Sequence, residues 1–211
     1  MNRLKVTLFG AALLALPVIA PAQTLNFDDV NAGPGSVCAV PQLANGYHGF
    51  NWDNFYVADG SDAYCMVPGG YRDGVVSPTN VAFNGYGDPA SVSSANTFTF
   101  NSVYMTAAWN NGLNVLVQGY HGVTLLYNQL LVLNTYAPTL ETFNWAGVDA
   151  VWFTSSGGVD GGYIGHGTHV VLDNMTLSSV TPEPATLLLL GTGLAGIGGV
   201  MRRRHRKSIE S

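Results

Sequence analysis

Aromatic side chains close to amide side chains are the residues of this sequence best suited to hold a ligand. Tyr64, Tyr71, Tyr86 and Trp109 stand in segments rich in turn-forming residues, and two asparagines follow Trp109. Exposed aromatic rings stack on the faces of sugar rings, and Asn, Asp or Gln side chains hydrogen-bond sugar hydroxyl groups. The sequence therefore predicts a sugar-binding site at these four residues. The alternative is that the rings pack inside a hydrophobic core.

Side chains for catalysis are few in the central part of the chain. Glu141 is the only glutamate between residues 23 and 180, whereas a glycosidase needs two carboxyl groups at a defined separation. His166 and His169 are three residues apart. Positions three apart in a strand point to opposite faces, so a zinc pair would require a turn. The sequence contains no glycine-rich phosphate loop and no nucleophile elbow. We therefore expect a protein that is not an enzyme.

The segments that must position these residues are short runs of alternating apolar and polar side chains, separated by turn residues. This pattern predicts an antiparallel all-β domain, and about nine strands fit a jelly-roll-type sandwich. The predicted strands are Thr24–Phe27, Gly49–Val57, Asn80–Phe83, Thr97–Ala108, Leu113–Tyr120, Val123–Leu133, Thr139–Trp145, Asp149–Ser155 and Thr168–Ser178.

Two further expectations follow from the same pattern. Tight turns are predicted at Asn110-Asn111-Gly112, Tyr120-His121-Gly122 and Ala146-Gly147. The tryptophans within predicted strands are expected to pack in the core; these are Trp52, Trp145 and Trp152.

The charge of the chain is distributed unevenly. Residues 23–180 contain one basic residue, Arg72, and eleven acidic residues, which gives this region a formal net charge of −10. Such a domain is repelled by nucleic acid, whose phosphates require Lys and Arg. We therefore expect no nucleic-acid partner. An acidic surface is compatible with divalent cations or neutral sugars.

The N-terminus has the three parts of a secretory signal peptide. Arg3 and Lys5 form a basic start, and an apolar segment follows from Val6 to Ile19. Small residues at Ala20-Pro21-Ala22 suit signal peptidase. Residues 1–22 are therefore predicted to be a signal peptide, and the mature chain is predicted to begin at Gln23.

The two cysteines of the chain are Cys38 and Cys65. Export takes them to an oxidising compartment, where a pair of cysteines forms a disulfide more often than a catalytic thiol site. We therefore predict a Cys38–Cys65 disulfide.

The C-terminus, residues 181–211, has three parts as well. Pro182, Glu183 and Pro184 precede an apolar, glycine-rich segment at 185–201 that is just long enough to be a transmembrane helix. A basic end follows at 202–207, and its charged residues are Arg202, Arg203, Arg204, Arg206 and Lys207. Basic residues stay on the cytoplasmic side of a membrane, so everything before Pro182 is expected on the far side.

This C-terminus resembles the PEP-CTERM sorting signal of Gram-negative bacteria. The resemblance implies that an exosortase-like membrane protease recognises the tail, cuts near the Pro-Glu-Pro motif and passes the protein towards the cell surface or extracellular matrix. The protein would then be anchored in the inner membrane only transiently. The alternative is an ordinary C-terminal membrane anchor.

The central region resembles β-sandwich domains that precede such tails, and more distantly galactose-binding-like and carbohydrate-binding modules. The segments that carry the resemblance include Gly49–Phe55, Phe98–Ser102, Phe143–Asp149 and Leu172–Met175. In sandwiches of that type a calcium ion commonly joins the first and last strands. The resemblance implies a structural calcium ion at Asp28, Asp29 and Asp173, since calcium takes six to eight oxygen ligands. The alternative is that these carboxylates cap strand ends and turns.

The sequence thus predicts a signal peptide at 1–22, a β-sandwich domain at 23–180 and a sorting tail at 181–211. The predicted function is that of an exported, non-catalytic protein of the cell surface or exopolysaccharide matrix. The first alternative is a carbohydrate-binding module with a defined sugar site, and the second is a secreted hydrolase. The expected partners are signal peptidase, the exosortase-like protease and an exopolysaccharide.

Overall fold

A computed structural model of the chain describes residues 18–19, 21–32, 40–62, 69–181 and 191. The contacts within the chain define one compact unit, Ala20–Val180, and a second unit made of Met1–Ile19 and Thr181–Ser211. Of the second unit, the structure describes residues 18, 19, 181 and 191.

The described residues form mainly strands. The strands, in chain order, are β1 (Val18–Ile19), β2 (Gln23–Leu25), β3 (Asn51–Asp53), β4 (Phe55–Asp59), β5 (Asn80–Asn84), β6 (Ala90–Ala107), β7 (Asn110–Asn111), β8 (Leu113–His121), β9 (Thr124–Leu133), β10 (Thr139–Ser156), β11 (Val159–Asp160) and β12 (Val170–Thr181). One short helix, α1 (Gly70–Asp73), and two 3-10 turns, Tyr47–Gly49 and Gly85–Gly87, complete the described elements.

Two long strands, β6 and β10, connect the two layers of the fold. The beginning of β6 pairs with the end of β10, and β3 and β8–β9 flank this pair in the first layer. The end of β6 pairs with the beginning of β10, and β12, β5 and β4 continue this second layer. All of these pairs are antiparallel. The predicted all-β antiparallel sandwich is therefore confirmed, and its layers share strands.

Strand β10 passes from one layer to the other through irregularities in its pairing with β6. The register shifts between Thr142 and Trp145 and again between Trp145 and Val148. Asn144 and Gly147 have positive φ angles of 52° and 76° at these places, a conformation that costs Gly little and Asn less than most residues. The tight turn predicted at Ala146-Gly147 is therefore wrong, because these residues form a bulge within one continuous strand. The other two predicted turns do separate strands. Gly112 lies between β7 and β8 and Gly122 between β8 and β9, and both have positive φ angles.

The main core lies between the two layers and is rich in aromatic rings. Phe55, Phe100 and Phe153 are fully buried, and their rings meet edge to face at centroid distances of 5.7 and 6.0 Å. Such pairs contribute about 0.5–1.5 kcal/mol beyond their area burial. The predicted core positions of Trp52 and Trp145 are confirmed, since both side chains are buried.

A smaller hydrophobic cluster covers the outer face of the second layer. Tyr71 of α1 packs there on Phe83 and Val171 of the sheet. The backbone of Gly70 lies so close to that of Ala107 that a Cβ atom has no room. Both clusters lie within the unit Ala20–Val180, so this unit holds its own hydrophobic core.

Several predicted features lie largely or wholly outside the described residues. Val18, Ile19, Pro21 and Ala22 are described from the predicted signal peptide, and Thr181 and Gly191 from the predicted sorting tail. Cys38 and Cys65 are outside, so their disulfide stays a prediction. Among the described residues, no helix is long and apolar enough to cross a membrane.

Candidate functional site

The three carboxylates predicted to bind calcium occupy different places. Asp173 is 0% exposed in β12, and its Oδ2 accepts hydrogen bonds from the backbone N–H groups of Val76 and Ser77 at 2.6 and 2.8 Å. Its Oδ1 accepts from the Ser77 hydroxyl at 3.0 Å and from the Asn174 N–H at 2.6 Å. Burial raises the pKa of Asp173, against the lowering effect of these bonds. This carboxylate therefore ties the loop after α1 to the last strand.

Asp28 and Asp29 lie after β2 and hold two further segments. Asp28 Oδ1 accepts from the backbone N–H groups of Thr79 and Asn80 at 3.1 and 2.9 Å. Asp28 Oδ2 is buried without a hydrogen-bond partner in the structure. Asp29 accepts from the Tyr47 hydroxyl at 2.6 Å, and its other oxygen lies 3.2 Å from His48 Nε2. The bond from Tyr47, with a smaller effect of His48, lowers the pKa of Asp29.

These contacts bear on whether the three carboxylates suit a calcium ion. Asp28 and Asp29 line a groove of about 430 Å³ together with Asp59, and the lining of that groove does not include Asp173. The described part of the chain contains no group of three or more His, Cys, Asp or Glu side chains placed to hold a metal ion. Asp173 already has four donors around its two oxygens. Asp173 therefore does not line one groove with Asp28 and Asp29, and the calcium ion predicted at these three residues stays a prediction.

Two of the residues predicted to bind sugar pack around His169. Tyr71 is 4% exposed, and its hydroxyl lies 2.6 Å from His169 Nδ1. The Trp109 Nε1–H donates to the same nitrogen at 3.3 Å. An indole N–H can only donate, so Nδ1 must be the acceptor and His169 is neutral. Burial lowers the pKa of His169 and raises that of Tyr71.

This cluster changes what its members offer to a ligand. Tyr71 lies in α1 and is buried, not in an exposed loop as the sequence suggested. Trp109 is half-buried against Tyr71 and Tyr163. His166 pairs instead with Asp160 at 3.0 Å, so the two histidines bind different partners. Sugar binding by Tyr71 and Trp109 stays a prediction.

Tyr86 is the predicted sugar residue with the most exposed ring. Its side chain is 83% exposed, and its φ angle is 59°. The Asn54 side chain holds the adjoining loop, because its Nδ2 donates to the carbonyl groups of Gly85 at 3.0 Å and Pro89 at 3.1 Å. Tyr64 lies outside the described residues.

Glu141, the single glutamate of the predicted domain, lies in β10 opposite Val103 of β6. Its side chain is partly buried, and burial raises the pKa of its carboxyl group.

The outer face of the first layer carries a groove that the sequence analysis missed. The groove has a volume of about 460 Å³, and it is lined by Pro89, Gln118, Tyr120, Gly122, Val123, Ala150, Trp152 and Thr154. Trp152 is 38% exposed, so its predicted core position is wrong. The sequence could have predicted this position. Val151 and Phe153 are fully buried, and alternation along a strand places Trp152 between them on the opposite face.

Comparison with known proteins found similar solved structures and a family motif. Several solved structures are similar to this chain. One, described as "CBM4 structure and function", is 18% identical and covers 66% of this chain and 91% of its own, with a TM-score of 0.31. Another, TmCBM61 in complex with β-1,4-galactotriose, is 4% identical and covers 64% of this chain and 88% of its own, with a TM-score of 0.30. No curated protein matches the chain.

The match to a protein-family motif lies in the C-terminal tail. Residues 180–204 match the PEP-CTERM protein-sorting motif, and the matched region contains Pro182, Glu183 and Pro184. This chain therefore carries a PEP-CTERM sorting motif, which implies export, transient membrane anchoring and processing by an exosortase-type membrane protease.

Proposed function

We propose that this chain is a non-catalytic component of the cell surface or exopolysaccharide matrix, delivered there by an exosortase-type system. The observation that carries the proposal is the sorting motif at residues 180–204. The acidic charge of residues 23–180 supports it, because like charge keeps exported domains soluble.

The proposal includes a defined order of processing. Signal peptidase removes residues 1–22 during export, and the apolar segment 185–201, predicted from sequence to span the membrane, then holds the jelly-roll-type sandwich on the outer side of the inner membrane. The basic residues after position 201 remain in the cytoplasm. The exosortase-type protease next cuts near Pro182-Glu183-Pro184 and releases the sandwich for transfer to the surface.

The test replaces the sorting motif in a host that has an exosortase. With Pro182, Glu183 and Pro184 changed to alanine, we expect protein that retains the tail to accumulate in the inner membrane. The matched control changes three tail residues beyond the matched region, Ser208–Glu210, to alanine. Cell fractionation with immunoblotting measures both variants. Surface delivery of the motif variant at the level of the control would refute the proposal.

A second candidate function, carbohydrate binding, has one specific observation in its favour. The groove around Trp152 combines exposed aromatic surface with uncharged polar side chains. Such combinations are typical of sites that bind small polar ligands.

A further inference from the structure

Two lining residues of the groove on the first layer, Trp152 and Gln118, belong to a row of side chains that crosses five strands. Trp152 of β10 is directly opposite Gln118 of β8 on one side and Ser91 of β6 on the other. The row continues to Asp53 of β3 and to Asn128 of β9. Residues directly opposite each other in antiparallel strands point to the same face. With adjacent strands about 4.8 Å apart, the row extends about 19 Å.

Trp152 lies in the middle of this row, on a backbone that the sheet holds in place. Its strand is hydrogen-bonded on both sides, to β6 and to β8, and Val151 and Phe153 anchor it in the core from below. The backbone that carries the ring is therefore in position before a ligand arrives, and little main-chain freedom is lost when a ligand stacks on Trp152.

The walls of the groove are also held in place by the protein. On one side, the Gly122 N–H donates to Asp149 Oδ2 at 2.7 Å, and His121 Nδ1 lies 3.2 Å from the same oxygen. These contacts hold the β8–β9 turn. On the other side, the Asn54 side chain holds the carbonyl group of Pro89. The groove is therefore formed before a ligand arrives.

The chemistry of the lining defines what fits. The rings of Trp152 and Tyr120, the amide of Gln118 and the hydroxyl of Thr154 are uncharged, as are all other lining residues. They lie in a region with a net charge of −10, which repels polyanions. Aromatic faces beside amide and hydroxyl groups suit a ligand with apolar faces and many hydroxyl groups.

We propose that this groove binds a neutral polysaccharide that lies across the strands, stacks on Trp152 and hydrogen-bonds Gln118 and Thr154. The proposal adds a ligand class to the proposed surface role. Polysaccharide binding is tested on purified protein, whereas sorting is tested in cells. A negative result in one experiment therefore leaves the other proposal unaffected.

The experiment is affinity electrophoresis of the purified full-length protein in a mild detergent. The gels contain neutral polymers (hydroxyethylcellulose, laminarin, galactan, galactomannan and xylan) or anionic ones (alginate and heparin). We expect retardation by at least one neutral polymer. Trp152→Ala should weaken that affinity about 30-fold or more, as truncation of a central aromatic anchor does. Gln118→Glu should also weaken it with almost no change in volume.

Two exposed tyrosines serve as matched controls. Tyr136→Ala removes a ring that is 68% exposed and does not line the groove, so binding should be unchanged. Tyr86→Ala removes one of the four rings that the sequence predicted to contact sugar, and binding should again be unchanged. Circular dichroism and the melting temperature establish whether each variant is folded. If Trp152→Ala does not fold, the binding test uses Gln118→Glu alone.

Several results would overturn the proposal. These are retardation by no neutral polymer, retardation by the anionic polymers alone, and wild-type retardation of folded Trp152→Ala and Gln118→Glu. Loss of binding in Tyr86→Ala with full binding in both groove variants would place the site at Tyr86 instead. A dimer that Trp152→Ala converts to monomer, without polymer binding in the wild type, would show that a second copy occupies the groove.

Discussion

Replacing Asp173 by asparagine should destabilise the sandwich unit strongly, although the two side chains have almost the same shape. Asp173 is fully buried, and both of its oxygens accept hydrogen bonds from N–H groups. An asparagine has one acceptor oxygen, and its other group is an NH₂ donor. In either orientation of the amide, at least one buried N–H faces another donor.

The expected loss follows from these contacts. Hydrogen bonds to a charged acceptor contribute about 1.5–3 kcal/mol and those to a neutral one about 0.5–1.5, so each surviving bond loses about 1 kcal/mol. A buried N–H group left without an acceptor costs about 1–3 kcal/mol. Removal of a buried charge offsets part of this loss. We expect the free energy of unfolding to fall by about 2–4 kcal/mol.

Urea unfolding followed by tryptophan fluorescence measures this change, and hydrogen exchange at the Val76 and Ser77 amides reports the loss of the tie itself. Asp88→Asn is the matched control, because Asp88 is exposed and should change stability by less than about 0.5 kcal/mol. Ser77→Ala removes one donor to Asp173 and should cost about 1 kcal/mol. A change in Asp173→Asn no larger than in Asp88→Asn would refute the reasoning.

Three further predictions follow from other residues. Burial lowers the pKa of His169. On acidification the unfolded chain therefore binds a proton at His169 before the folded unit does. Stability should fall as the pH drops below the ordinary histidine pKa of about 6.5. In His169→Gln that fall, measured by urea unfolding at a series of pH values, should be smaller, and an identical pH dependence would contradict this assignment. Asn54→Ala should destabilise the unit by about 2–3 kcal/mol, because it loses the bonds to the 85–89 loop and places alanine at a φ angle of 54°; a melting temperature equal to that of the wild type would contradict it. Secreted protein should resist alkylation at Cys38 and Cys65 without reductant, and reduction should lower stability by about 3 kcal/mol; two labelled thiols in the intact mass would exclude the disulfide.

Local patterns predicted some strands more accurately than others, since the predicted strand Gly49–Val57 forms two strands, β3 and β4, and β6 begins at Ala90 instead of Thr97. Alternation of apolar and polar side chains predicted the segments that became β8 and β9 within one residue, because side-chain direction along a strand is a property of adjacent residues. The same pattern missed the continuity of β10, since Ala146-Gly147 resembles a turn in sequence. Pairing with β6 on one side kept them within a single bulged strand.

The candidate site was harder to predict than the strands. Alternation with Val151 and Phe153 could place Trp152 on the outer face of its sheet, but no local pattern shows whether another segment covers an aromatic ring on such a face. Tyr71 is buried on the second layer between the sheet residue Phe83 and Trp109, whereas the groove leaves Trp152 open on the first layer. Coverage of a sheet face depends on segments that are distant in sequence, so local periodicity carries no information about it.

The sequence alone determined the export and sorting instructions, the acidic charge and the β character of this protein. Each of these depends on composition or on neighbouring residues, and a membrane protease can recognise the tail as a linear segment. The tertiary structure alone decided which carboxylates accept hydrogen bonds from backbone N–H groups and which aromatic ring is exposed to a ligand. The physical reason is that Asp173 meets Val76 and Ser77 across almost 100 residues of chain, and such contacts exist only after the core has brought the strands together.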